Sequence, residues 1–209
     1  MTEALTAERI LEAAEDTLRR FGPAKTTVVD VARSLGVSHG SVYRHFPSKA
    51  ALRDAVAERW LRRICVPLHP VISEDTPAAE RIRRWLWLLS TTKRDMARND
   101  PELFATYYGL VAEIREVVSA HIETLVDLLA RIVADGVRRG ELAVEDPHGT
   151  ARALLSATTR FHHPAHAAEW DDPNIDREFE ELWALLRDGL EGRAGNSASR
   201  HTGRADVAP

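Results

Sequence analysis

The run Ser38-His39-Gly40-Ser41 puts two hydroxyls, an imidazole and a residue without a side chain into four consecutive positions. Hydroxyls and imidazoles hydrogen-bond over a short reach, and glycine lets a backbone approach another surface closely. That combination suits the edges of nucleic-acid bases, so Ser38, His39, Gly40 and Ser41 are the candidate base contacts. Thr27, Tyr43, Arg44, His45 and Lys49 stand around them and suit phosphate oxygens, which fix register without reading sequence. A second grouping is His162, His163 and His166 in RFHHPAHAAEW. Two imidazoles four residues apart share a helical face and can chelate Zn or another borderline metal. Pro164 lies between them and disfavours helical backbone at His163, which argues against that face. A third ligand could come from His121, His148 or Glu169. The trio also fits a helix C-terminus, where histidine favours the negative dipole end, or a polar cluster at a subunit interface; a pH response is a further reading.

The elements that would position the first group are legible from local signals. Thr27 precedes an apolar-periodic run and has Asp30 three residues on, a capping-box spacing. Val28, Val31, Ala32 and Leu35 fall on one face of a short helix. Gly36 supplies the positive φ that ends it, and Val37 plugs the turn. Ser38 is the natural N-cap of a second helix through Arg44, with Val42 and Phe46 facing inward. Pro47 stops that helix, and Ser48 caps the next, with Lys49 in its first turn. The stretch 26–52 therefore reads as a helix-turn-helix followed by the start of a third helix. Its second helix is too short and polar to serve packing alone, as expected of a helix whose first turn meets base edges.

Charge agrees. Residues 17–63 hold ten Lys/Arg against three Asp/Glu, a net of +7 in a chain of net −4, which leaves −11 for the remainder. A basic segment on an acidic protein is the footprint of a DNA-binding module joined to a second domain.

On these residues the N-terminal portion resembles the TetR family of transcriptional repressors. The matching elements are an opening helix from Ala7 to Phe21, the Thr26-Thr27 start, VARSLGVSHGSVYRHF, and the closing Ser48-Lys49-Ala50-Ala51-Leu52, covering about the first 60 residues. The resemblance implies an all-α homodimer: an N-terminal three-helix DNA-binding domain with a helix-turn-helix, and a variable C-terminal helical domain for ligand binding and dimerisation. His39 departs from what many relatives carry, so no base preference transfers. The implied organisation is a DNA-binding domain over 1–47, a connecting helix over 48–66, a regulatory and dimerisation domain over 67–192, and a disordered tail over 193–209.

Beyond residue 60 the pattern is helical throughout. A long helix is expected from about Ala78 to Arg98, with Ile82, Trp85, Leu86 and Leu89 on one stripe. Another starts at Asp100-Pro101, with a brief break near Gly109 before a long segment ending at Gly140. Asp146-Pro147 begins a helix expected to run to about His166, and Asp172 to Asp176 introduce the last, which ends near Gly189 or Gly192. Leu154, Leu155, Thr158 and Phe161 on one of the final two helices, and Phe179, Leu182, Trp183, Leu186 and Leu190 on the other, offer apolar faces. The resemblance assigns these helices to a dimeric four-helix bundle.

An effector pocket would draw on aromatic residues. Trp85, Phe104, Tyr107, Tyr108 and Phe161 are the candidate lining, with Trp87 and Trp170 beside them; ordinary core packing is the competing explanation for each. No Gly-rich phosphate loop, Gly-x-Ser-x-Gly elbow, His-Glu-x-x-His or Cys-x-x-Cys occurs, so an enzyme is not expected. The single cysteine, Cys65, rules out an internal disulfide and suits a reducing cytoplasm. No secretory signal or membrane span is expected.

The expected activity is therefore a dimeric regulator, most simply a repressor, that binds an inverted-repeat DNA operator and is released by a small-molecule effector. No cofactor is required. The alternatives are a metal-responsive regulator using the histidine trio with Zn, and a protein-interaction module whose head no longer reads DNA.

Overall fold

Thr6 starts the first helix by accepting a hydrogen bond from the Arg9 N–H at 3.3 Å. From there α1 (Ala7–Lys25) buries Ile10, Leu11, Ala14 and Leu18, one stripe at helical spacing. Gly22 (φ 73°) interrupts regular geometry just past Phe21, where the sequence places the end, and Pro23 restarts a final turn. The computed structural model describes residues 4–112 and 116–197, which are helical with no strand among them. They divide into two compact bodies. One comprises the chain up to residue 66 with residues 92–122; the other comprises residues 67–91 with the chain from 123 onward.

In the first body, α2 (Val28–Ser34), α3 (His39–Tyr43) and α4 (Lys49–Cys65) follow α1. Val28, Val31 and Ala32 of α2, Val42 of α3, and Leu52, Val56, Trp60, Leu61 and Ile64 of α4 are buried with the α1 stripe. Each buried Val, Leu or Ile among them contributes about 1.5–3 kcal/mol. The body is completed by α6 (Pro101–Ala112), which packs on α1 and α4 and buries Leu103 and Tyr107. Polar contacts fix the same surfaces. Glu15 is 3% exposed and receives Arg63 at 2.7 Å, Arg59 at 3.3 Å and Arg19 at 3.4 Å. Arg19 also forks onto both Asp100 oxygens, at 3.1 and 2.9 Å, which ties α1 to the start of α6 and raises the Arg19 pKa.

The second body is built on α5 (Ala78–Asn99) and α7 (Glu116–Arg138), each of which also gives residues to the first body, with α8 (Pro147–Ala157), α9 (Thr159–His162) and α10 (Ile175–Ser197). Ile82, Trp85, Leu86 and Leu89 form the expected buried stripe. Helix α7 approaches the start of α5 through Gly136, where a Cβ would lie 2.5 Å from that of Ala78 and 2.8 Å from Leu142. The buried Arg81 is neutralised by Asp135 and donates to the Ile72 carbonyl at 3.0 Å. Its hydrogen bond holds the Asp135 carboxyl below the usual range.

Several boundaries differ from expectation. Helix α6 continues through Gly109 to Ala112. The helix begun at Asp146 stops at Ala157, and the chain proceeds through α9 and a 3-10 segment, Pro164–Glu169. Helix α10 reaches Ser197, five residues into the expected tail; the remainder, 198–209, and the link 113–115 lie outside the described residues. Residues 92–122 group with the first body by packing.

Candidate nucleic-acid interface

The turn between α2 and α3 is set by backbone hydrogen bonds that follow from Gly36. With Gly36 at φ 68°, its N–H reaches Arg33 O at 3.1 Å and the Val37 N–H reaches Ala32 O at 3.0 Å. This paired closure satisfies carbonyls that the ending helix leaves open. At the other end of α2 the capping box is complete: Asp30 N–H donates to Thr27 Oγ1 at 3.3 Å, and Thr27 N–H to Asp30 Oδ2 at 3.1 Å. The Thr27 hydroxyl also donates to Asp30 at 2.6 Å and holds that carboxyl below its usual range. The single side-chain donor of Thr27, an expected phosphate contact, is thus already engaged.

Helix α3 is anchored by fully buried Val42, and its other side chains stand outward. Ser38 caps it, accepting from Ser41 N–H at 3.3 Å. Ser38, His39, Gly40, Tyr43, Arg44 and His45 are exposed, and Ser41 is half-buried. The Ser41 hydroxyl lies 3.1 Å from that of Ser38 and accepts from Arg44 Nη2 at 3.1 Å, so it orients the guanidinium. His39 meets Tyr43 edge-on, ring centroids 6.3 Å apart. The eight expected contacts from Ser38 to Lys49 therefore stand on α3, its following turn and the start of α4, with Thr27 at the start of α2.

Electrostatics fit this surface to an anion. Helices α1, α2, α5, α6, α7 and α10 each carry an acid in the first turn, which offsets the positive end of the helix dipole. Helices α3, α4, α8 and α9 carry none; α8 has Asp146 as its N-cap, and α4 begins with the exposed Lys49. A cation there opposes its own helix and is favourable only when an external anion covers it.

Two family models match the chain: residues 10–56 fit the bacterial regulatory proteins of the tetR family, and residues 78–183 fit the tetracyclin repressor-like C-terminal domain. The chain belongs to the TetR family. An HTH-type transcriptional regulator of Mycobacterium tuberculosis is 36% identical over 103 residues, so the chain spans about half (49%) of that relative's length, with 49% of its own. The TetR-family chain is also similar to the HTH-type transcriptional regulator RutR of Escherichia coli K12, 26% identical over 162 residues, which cover 77% of this chain and 76% of RutR. Its fold is shared by the TetR-family repressor FadR of Thermus thermophilus, solved with lauroyl-CoA. The TM-score is 0.63 at 22% identity, covering 98% of this chain and 99% of FadR.

The expected pocket aromatics of this TetR-family member separate. Within the first body, Tyr107 is 3% exposed and packs with Trp60 (centroids 5.4 Å) and Phe104 (6.5 Å). Tyr108, one residue on and so about 100° around the helix, is 47% exposed and stands apart from that cluster. Within the second body, Phe161 packs on Phe179 (5.3 Å), which meets Trp87 (5.1 Å). Trp85 is fully buried there, and its indole N–H has no hydrogen-bond partner among the described residues. Trp170 is structural, donating from Nε1 to Arg160 O at 3.0 Å.

The histidine trio does not assemble. The chain leaves helical geometry at His163 (ψ 131°), ahead of Pro164. Buried His162 places Nε2 3.2 Å from Leu155 O; His163 Nδ1 accepts from the Ala165 N–H at 3.2 Å; His166 Nδ1 lies 2.7 Å from Glu169. Hydrogen bonds to His166 and Arg160 hold the Glu169 carboxyl low. No group of three or more His, Cys, Asp or Glu among the described residues is arranged to hold a metal ion. No described helix is long and apolar enough to cross a membrane.

Sequence reasoning missed Lys93, which is 4% exposed on α5 beside Cys65 and Tyr107. Its signal was available: position 93 follows Leu89 by four and continues the apolar stripe. Glu15 was likewise passed over, although it too falls beside a buried stripe, one residue after Ala14.

Proposed function

We propose that this protein is a dimeric DNA-binding transcriptional regulator, acting as a repressor on an inverted-repeat operator and released by a small organic effector. The observation that carries the reading is the outward face of α3 and the start of α4, with hydrogen-bonding and basic side chains on two helix N-termini that carry no acid. Ser38, His39, Gly40 and Ser41 face base edges; Tyr43, Arg44, His45 and Lys49 hold phosphates. A five-residue helix reads too few base pairs alone, so two copies are needed, on half-sites about 34–36 Å apart or a multiple. Most of the apolar side chains of α8–α10 are buried within one chain, while Leu185 is 73% exposed and offers partner surface. The effector reading draws on the aromatic interior and on FadR, a shared fold solved with lauroyl-CoA. The effector acts only through its different affinity for the DNA-competent and DNA-released states.

Measurement of DNA affinity against salt tests this reading. Lys49→Ala should weaken binding on all duplexes and lower the slope of log K against log salt by about one unit. An unchanged slope removes Lys49 from the contact surface.

A further inference from the structure

Lys93 is buried on α5 within the first body. Its ammonium lies 5.6 Å from the centroid of the Tyr107 ring and near the Cys65 thiol, and no carboxylate partner stands beside it among the described residues. Arg81, equally buried, has Asp135. An ammonium withdrawn from water without a counter-charge is unfavourable, and the Tyr107 face recovers only part of the loss. A second donor in the same cluster is unsatisfied. The Trp60 Nε1–H is buried without a hydrogen-bond partner among the described residues, and its ring lies 5.4 Å from that of Tyr107 and 6.2 Å from that of Phe104.

We propose that Lys93 is the anchor for the effector, and that the effector is an organic monocarboxylate whose apolar body lies against Trp60, Phe104 and Tyr107. The inference rests on the effector-responsive reading above and adds the chemical class. A single compact cation neutralises a single negative charge; a phosphate dianion would leave buried charge uncompensated. An aromatic cluster with few polar groups suits an apolar body, whose orientation those groups would fix. Burial pushes the Lys93 ammonium down to about 8, only partly offset by Cys65, so it remains largely protonated at neutral pH and is stabilised when a carboxylate arrives.

The test uses the full chain, titrated with benzoate and with octanoate, each beside its neutral amide, read by tryptophan fluorescence and thermal midpoint. Retention of a duplex pool is measured on the same protein before any ligand is added. At least one carboxylate should bind ten times more tightly than its amide, and Lys93→Met should lose that preference. Equal affinity for acid and amide, binding by neither acid, or a preference surviving in Lys93→Met overturns the anchor. The wild-type comparison alone decides should the variant not fold. Wild-type protein that holds DNA but shows no carboxylate preference sinks the anchor and leaves the regulator reading standing. Wild-type protein that holds no DNA sinks the regulator reading instead.

Discussion

Gly40 separates what the fold needs from what the interface needs. A Cβ there would meet only the Ser38 hydroxyl, at 3.8 Å, an ordinary contact, and its φ is not in the left-handed region. Nothing inside the protein requires glycine, and glycine within a helix costs about 0.5–1 kcal/mol relative to alanine. In the proposed DNA-reading role its advantage lies outside the molecule, in close approach to a groove. Gly40→Ala should therefore raise stability in urea by about that amount while weakening DNA binding. Raised stability with undiminished DNA binding would remove Gly40 from the contact surface. At this scale the sequence was readable where chemistry is local. Ser38, Thr27 and Ser48 cap the helices expected of them because a cap depends on residues three apart. Lys93 was passed over because its charge reads as solvated, although its spacing from Leu89 continues the buried stripe; Tyr107 of α6 and Cys65 of α4 beside it decide between the two.

Helices packed against one another carry the head. Glu15 on α1 gathers arginines from its own helix and from α4. Without Glu15, Arg19 keeps Asp16 and Asp100 and Arg59 keeps Glu8 and Glu12, so the loss is that of charge-assisted hydrogen bonds, chiefly to the half-exposed Arg63, about 1.5–3 kcal/mol. Glu15→Ala should lower unfolding free energy by about 2 kcal/mol in a urea titration. A change within experimental scatter would show that water already compensates the guanidiniums. Helix existence was legible from apolar periodicity, and α2, the turn, α3 and α4 follow the sequence reading closely. The break after Ala157 was not. It depends on contacts distant in sequence: Trp170 satisfies the Arg160 carbonyl, and Arg160 pairs with Glu169 and Glu178. The histidine trio failed as a metal site for the local reason, Pro164, already visible in the chain.

Taken whole, the protein combines a basic reading segment with an acidic remainder, and one buried cation gives it a pH signature. Lys93 titrates near 8 when folded against an ordinary 10.5, so the unfolded chain binds more protons between those values and stability rises with pH there. Burial raises Cys65 and Tyr107 above their ordinary 9.0 and 10.0, which makes stability fall with pH above about 9 and leaves pH 8–9 as the clear window. Wild-type stability should rise across that window relative to Lys93→Met; parallel profiles would contradict the burial of a charged lysine. Family membership and helical class emerged from the first 60 residues, whereas grouping 92–122 with the head required the three-dimensional packing of α6 on α1. The central claim is that α3, presented twice, reads DNA sequence. Selection of bound duplexes from random DNA by purified wild-type and His39→Ala proteins tests it most directly. The wild type should enrich an inverted repeat, and His39→Ala should enrich a repeat altered at one position in each half-site. Enrichment of no motif by folded wild-type protein would contradict the claim.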